Sequence, residues 1–237
     1  MINKKTIVCL LTARAGSKGL SNKNILNFAG KPLIAWSIEA AKKSLYVDDI
    51  FCSTDDKNIA NIAKQYGAEV PFMRPKALAT DSASGNDVVL HAIQNFKKKY
   101  DIILLLQPTS PLRDENDIDD AIDFFFMKKA HSLVSVSKAT KPIEWNFYLK
   151  KNKLFNVFSK SNQLQISNRQ EFGEVYIPNG AIYIASINGF IKDKSFYTDE
   201  TFGYEMPYEK SIDIDSNYDF FLAENIKQNS IKNYTID

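Results

Sequence analysis

The chain has 237 residues, 44% of them hydrophobic, and 30 basic residues nearly balance 28 acidic ones for a formal net charge of +2. That is enough apolar material for one main core, and the charge is too even for a protein whose chief partner is a nucleic-acid backbone. No stretch nears the ~20 apolar residues that cross a bilayer, and the N-terminal run is too short for a secretion signal and meets Arg14 at the would-be cleavage site. One domain, residues 1–237, in the cytoplasm, with neither membrane nor nucleic acid as partner, is the expectation.

Short apolar runs alternate with stretches of helical period. Residues 6–12 are a predicted strand, and Ile34, Ile38, Ala41 and Leu45 then recur at helical spacing within 31–45. Residues 49–54 predict a strand, 56–66 a helix and 68–73 a further strand; the next helix carries Val89, Ala92, Ile93 and Phe96 on one face. The five apolar residues 102–106, bounded by Asp101 and Gln107, suit a strand covered on both faces. A helix over 114–128 and a strand over 132–137 follow. From 138 to 178 the rhythm fails, and the aromatics of that stretch predict an inserted arm used as a subunit contact or lid. Regular structure resumes with 180–185, a short helix, a strand at 211–215 and a last helix from 216 to about 228. Cys9 and Cys52 fall inside strands and read as buried hydrophobes.

This order predicts an α/β fold, three layers with a mostly parallel, Rossmann-like sheet and right-handed crossovers. Ligands in such sheets bind beyond the strands' C-terminal ends. Two candidate segments emerge there. Residues 13–24 join Arg14, Lys18 and Lys23 to Gly16 and Gly19, which suits a polyphosphate cradled by backbone N–H groups and cations. Their spacing matches neither G-x-G-x-x-G nor the P-loop signature, and an ordinary polar turn is the alternative. Gln107-Pro108-Thr109-Ser110-Pro111-Leu112-Arg113 is a turn made rigid by its two prolines, with Ser110 also suited to cap the next helix.

Near the C-terminus, alternation along 211–215 puts Asp213 and Asp215 on one side and Ile212 and Ile214 on the other. Two carboxylates roughly 7 Å apart repel by about 2 kcal/mol at an effective dielectric near 20, so a cation should relieve them. Mg²⁺, which takes one or two carboxylates plus phosphate oxygens, suits the pair. The alternative is that Asp215 or Ser216 merely caps the last helix, with Asp219 close behind. Arg74 and Ser84 flank a polar loop whose amides suit an anion or a base edge. His91 and His131 read as structural or surface histidines, and no nucleophile–base pair is apparent.

Taken together, 13–19, Lys23-Asn24, 30–33, 53–55, 106–113, 179–183 and 213–215 resemble, in order and across nearly the whole chain, the acylneuraminate cytidylyltransferases, the CMP-sialic acid synthetases. The resemblance implies a nucleotide-diphospho-sugar transferase type of fold and a Mg²⁺-dependent enzyme. It would make a CMP-nonulosonic acid and pyrophosphate from CTP and a free nine-carbon sugar acid. It implies Arg14, Gly16, Ser17, Lys18 and Lys23 on the triphosphate, with Asn24, Arg74 and Ser84 around cytosine and ribose. Asp213 and Asp215 would be the metal ligands; Arg14, Lys18, Lys23 and Asp213 carry the catalytic expectation. Gln107, Arg169, Tyr183, Phe196 and Tyr197 would line the sugar pocket, some across a homodimer interface built by the 138–178 arm. Ile177 stands where sialic acid enzymes often carry arginine, and Tyr197 where the second aromatic is often Phe, which leaves the acceptor open between N-acetylneuraminate, legionaminic acid and other nonulosonates. Transfer to another sugar acid or a sugar phosphate, and a non-catalytic nucleotide-binding protein of the same fold, are the alternatives.

Overall fold

Alternating apolar and polar segments produce alternating strands and helices around a central sheet. The computed structural model describes residues 2, 4–16, 19–157 and 173–233, the last three as backbone only. The chain opens with β1 (Ile7–Thr12), the two-residue ladder of β2 (Asn27–Phe28) and β3 (Lys31–Pro32), then α1 (Leu33–Lys43), β4 (Asp49–Ser53) and α2 (Lys57–Tyr66). It continues with α3 (Gly85–Gln94), β5 (Ile102–Leu106), α4 (Glu115–Met127) and β6 (Ser132–Lys138). The hairpin β7 (Phe147–Lys150) and β8 (Lys153–Asn156) leads toward β9 (Tyr176–Ser186), α5 (Ile187–Asp193), β10 (Thr201–Glu205) and α6 (Asn217–Asn233).

Six strands make the main sheet in the order β10-β6-β9-β5-β1-β4. Five share one direction; β9 runs against both its neighbours. Because side chains alternate along a strand, β1 sends Ile7, Cys9 and Leu11 to one face and Val8 and Leu10 to the other, and β5 divides Ile102, Leu104 and Leu106 from Ile103 and Leu105 in the same way. The first face packs on apolar residues of α1, α2 and α4, the second on those of α3 and α5, giving the expected three layers. A third cluster, with Phe28, Leu33, Leu112, Ile214 and Ala223, docks α6 beside the β2–β3 ladder. Helix ends follow local chemistry. Asp56 accepts from the amides of Asn58 and Ile59 at the start of α2, Gly67 ends that helix in the left-handed region, and Asp114 and Asp117 form a reciprocal capping box on α4.

Four expectations are corrected. Residues 68–73 give only one bridge, between Phe51 and Glu69, because Pro71 has no N–H with which to continue the pairing. Residues 211–215 belong to no strand; the Ile214 amide instead donates to the Thr109 carbonyl at 2.9 Å. The last sheet strand is β10, parallel to the edge of β6. Finally, α3 ends at Gln94, leaving Phe96 beyond it, where it stacks at 5.1 Å on Phe51. The 138–178 stretch contains the β7–β8 hairpin and overlaps the start of β9, whose pairing with β6 begins at Tyr176. Both cysteines are buried and unpaired, and burial pushes each thiol up to about 12, so neither is a nucleophile at neutral pH.

Candidate active site

The C-terminal ends of β1 and β5 open onto a cavity of about 430 Å³ lined by Thr12, Arg14, Gly19, Lys23, Asn24, Gln107, Pro108, Thr109, Asp213 and Asp215. It brings the first loop, the proline-braced turn and the C-terminal acids into one place. The contact between the two chain ends is close. A Cβ on Gly19 would stand 2.1 Å from the Asp215 carbonyl oxygen, so only glycine fits there. Lys23, 191 residues away in sequence, donates to the Ile214 carbonyl and lies 3.0 Å from the Asp215 carboxylate. Gly16 faces open space and is not required on packing grounds.

Asn24 is buried and donates to the Arg14 carbonyl at 3.1 Å, which pins the loop from inside. The Arg14 guanidinium reaches across to Asp81 at 2.6 Å and to the Ala79 carbonyl at 3.4 Å. Asp55 accepts from the Ala15 amide at 3.1 Å. Arg74 is buried behind this group and donates through Nε to Ser53 Oγ at 3.1 Å and through Nη2 to the Ser53 carbonyl; burial lowers its pKa.

The capping alternative for the acids is resolved by Ser216 and Asp219. The Asp219 carboxylate accepts from the Ser216 amide at 2.8 Å and the Ser216 hydroxyl at 2.7 Å, and Ser216 Oγ accepts from the Asp219 amide at 3.3 Å. That exchange starts α6 and leaves the carboxylates of Asp213 and Asp215 turned to the cavity. Asp213 is open through the cleft mouth and crowded by protein behind. This partial loss of hydration raises its pKa, the Asp215 charge adds to the rise, and a Thr109 hydrogen bond and Lys23 oppose it. Carboxylates held against their own repulsion, next to a cationic loop, are a fit donor pair for one hard divalent cation that completes its shell with phosphate oxygens and water. Among the described residues no group of three or more His, Cys, Asp or Glu side chains converges, so any such ion depends on its anionic ligand.

Behind the cavity lining, the start of β9 backs Gln107 and Asp213. Asn179 is buried; its Oδ1 accepts from Ser135 Oγ at 2.6 Å and from the Ala181 amide at 3.1 Å, and its Nδ2 donates to Ser211 Oγ at 2.9 Å. These bonds clamp β9 to β6 and to the acidic segment together. The next residue, Gly180, has φ +75°, and a Cβ there would lie 3.0 Å from Gln107 Oε1 and 3.2 Å from Asp213 Oδ2.

Among the predicted site residues, Arg14, Lys23, Asn24, Gln107, Asp213 and Asp215 meet at the cavity. Arg74 and Ser84 are not in its lining, and the Ser84 hydroxyl is engaged by the Asn86 amide at the start of α3. Tyr183, Phe196 and Tyr197 form an aromatic group on the second sheet face, Tyr183 lying 5.4 Å from Phe196 and 6.4 Å from Tyr197 between ring centres. Phe196 is core, whereas Tyr197 is exposed. Tyr183 is held above the ordinary tyrosine range, mainly by burial, with Tyr197 and Asp213 adding to the shift, and it is not part of the cavity lining. Ser17, Lys18 and Arg169 lie outside the described residues. Sequence reasoning passed over Thr12, Thr109 and Asn179 as site residues. Thr109 stands between two prolines and Asn179 beside a glycine that takes positive φ, and both are settings where a short polar side chain is held rigidly.

A Rossmann-like α/β sheet with a cationic loop and an acid pair over its strand ends defines a nucleotidyltransferase type of fold. The sequence profile of the cytidylyltransferase family matches residues 8–236, and the chain belongs to that family. It is 38% identical to the N-acylneuraminate cytidylyltransferase of Escherichia coli O18:K1:H7 over 94% of its length, but spans only 52% of that relative. It is also 38% identical to the CMP-N,N'-diacetyllegionaminic acid synthase of Legionella pneumophila, covering 94% of this chain and 96% of the relative. Identity to the pseudaminic acid cytidylyltransferase of Campylobacter jejuni serotype O:23/36 is 32%, over 92% and 94% of the two chains. Among solved structures, a CMP-2-keto-3-deoxy-manno-octonic acid synthetase complexed with CTP superposes with a TM-score of 0.69 at 16% identity, over 95% of this chain and 100% of that one.

Proposed function

We propose that the protein transfers a cytidylyl group from CTP to the anomeric hydroxyl of a free nonulosonic acid, releasing pyrophosphate. The observation that carries this reading is the meeting of Lys23 with Asp215 and of Gly19 with the Asp215 carbonyl around one cavity beyond β1 and β5. Arg14 and Lys23, with Lys18 beside them in sequence, would hold the triphosphate and take up charge on the departing pyrophosphate. Asp213 and Asp215 would hold one Mg²⁺, whose chemistry is to neutralise phosphate oxygens. The rigid Gln107 turn, backed by Asn179 and Gly180, would orient the acceptor and exclude water from the reacting face. In-line attack breaks the α–β phosphoanhydride bond and forms the ester to the anomeric oxygen, whose proton leaves to solvent or a nearby base. Arg74 and Ser84 would act on cytosine and ribose from behind the loop, and Tyr183, Phe196, Tyr197 and Arg169 on the sugar.

Relatives named for three different nonulosonic acids, two of them matched over nearly their whole length, support that acceptor class, and Ile177 and Tyr197 leave its member to experiment. The β7–β8 hairpin exposes Tyr148, Leu149, Leu154 and Phe155, which supports a homodimer built on the arm. The decisive test is pyrophosphate release from CTP, UTP and ATP against N-acetylneuraminate, legionaminic, pseudaminic and 3-deoxy-octulosonic acids and a sugar phosphate. Release with CTP and a nine-carbon acid is expected. Faster release with the eight-carbon acid or the sugar phosphate would reassign the acceptor, and CTP binding without release would leave a binding protein.

A further inference from the structure

The cation that leads the phosphate-binding loop already has an anion. Arg14 lines the cavity, yet its Nη2 lies 2.6 Å from Asp81 and its Nη1 3.4 Å from the Ala79 carbonyl, both on the loop that precedes α3. Neither Ala79 nor Asp81 is part of the cavity lining, so the pair draws the guanidinium toward the rim without filling the space. The setting explains why an anion is needed there. Arg74 sits behind Arg14 closely enough that the charge of Arg14 contributes to lowering its pKa, and Lys23 lines the same cavity. Asp55 accepts from the Ala15 amide and its charge acts on Arg74, and Asp215 pairs with Lys23. Both members of the Arg14–Asp81 pair keep contact with water, at 31% and 46% of their side-chain surface, so the pair is weak and exchangeable. A triphosphate placed in this cavity offers Arg14 several anionic oxygens with bidentate geometry and at the same time repels the Asp81 carboxylate.

We propose that Asp81 is a placeholder anion: it holds Arg14 at the rim while the cleft lacks a polyphosphate, and is displaced from the guanidinium when the phosphate chain binds. This rests on the nucleotide reading of the cleft and adds to it a residue that opposes binding. Asp81 is thereby a positioning residue that sets the affinity for the phosphate chain through Arg14.

The test is titration calorimetry on the full chain at fixed magnesium, with CTP and with inorganic tripolyphosphate as separate probes, on the wild type, Asp81→Asn, Arg14→Gln and the double variant. Asp81→Asn should tighten both probes by about three- to fivefold, the size of a weak surface pair. In the Arg14→Gln background the same substitution should change Kd by less than about half of that factor. Unchanged or weaker tripolyphosphate binding by Asp81→Asn would overturn the proposal, as would equal tightening with and without Arg14, which would mark a general charge effect. Weaker binding of CTP alone would also overturn it, because Asp81 would then be reading the nucleoside. A wild type that binds tripolyphosphate but not CTP would defeat the cytidylyl-transfer reading and still let the tripolyphosphate series decide on Asp81. Binding of neither probe would end both.

Discussion

Two groups of one or more lysines and paired aspartates sit on this fold, and they are built differently. At the foot of α4, Lys210 donates to Asp114 at 2.7 Å and to Asp117 at 2.9 Å, so one ammonium satisfies both carboxylates and the cluster is closed. In the cleft, Lys23 reaches Asp215 and the Ile214 carbonyl, while Asp213 keeps a Thr109 hydrogen bond and faces the cavity. Each group has one lysine for two aspartates, but the first has its charges in mutual contact and lines no part of the cavity, so it belongs to the scaffold. The second keeps unbalanced charge of both signs facing a cavity, which is the condition for binding a metal and its polyanion.

The comparison breaks first at Lys23. Lys23→Ala is expected to reduce kcat/KM for pyrophosphate release by about 10²- to 10³-fold with little change in the urea midpoint; near-normal turnover would put Lys23 among the scaffold residues. Asp213→Asn should cut turnover by about 10²-fold while raising the melting temperature in metal-free buffer. The sign follows from its raised pKa: the folded state disfavours the charged form, so neutralising the group removes a penalty present at pH 7. A lowered melting temperature would show that Asp213 is a structural acid. Conversely, Lys210→Met should destabilise by about 1–3 kcal/mol, read from urea unfolding, with kcat per folded molecule preserved. Loss of activity without loss of stability would join the two clusters functionally.

The smallest effect concerns pH. Hydrogen bonds to Asp114 and Asp117 outweigh desolvation and raise the pKa of Lys210 above its ordinary 10.5. Its stabilising contribution is therefore fully present below that value and is lost as pH rises through the higher folded value. The wild type and Lys210→Met should differ by a constant amount in urea midpoint at neutral pH and converge at strongly alkaline pH. A gap that persists undiminished there would separate the cluster's stability from the lysine's charge.

Much of the frame was legible in the sequence because burial on both faces writes itself as uninterrupted apolar runs. β1 and β5 are the clearest cases, and the cationic loop and the proline-braced turn follow the ends of those runs, while the acid pair shows through alternation along 211–215. β10 was missed because Thr201–Glu205 is a half-exposed edge with a glycine at its centre, packed across from Val136, and carries no apolar run. Residues 211–215 mimic a strand because alternation records which side is buried, not what pairs with the backbone; Ile214 is fully buried with a single amide bond to Thr109. The Asn179 clamp was illegible for a different reason. Its partners, Ser135 and Ser211, lie 44 and 32 residues away, and serine at those positions carries no local signal of being a partner.

The reversed direction of β9 has a consequence for how the site is assembled. A parallel strand in that place would have brought its end to the cleft and its beginning to the opposite edge. Running backwards, β9 brings Asn179 and Gly180 up behind Gln107 and Asp213 within four residues of its first pairing with Lys138. Residues 176–178 are therefore joined to Asn179 and Gly180 by a short backbone path, and Gly180 in turn stands against Gln107 at the end of β5. One side of the cleft is thus reached from a backbone entry point separate from the ends of β1 and β5.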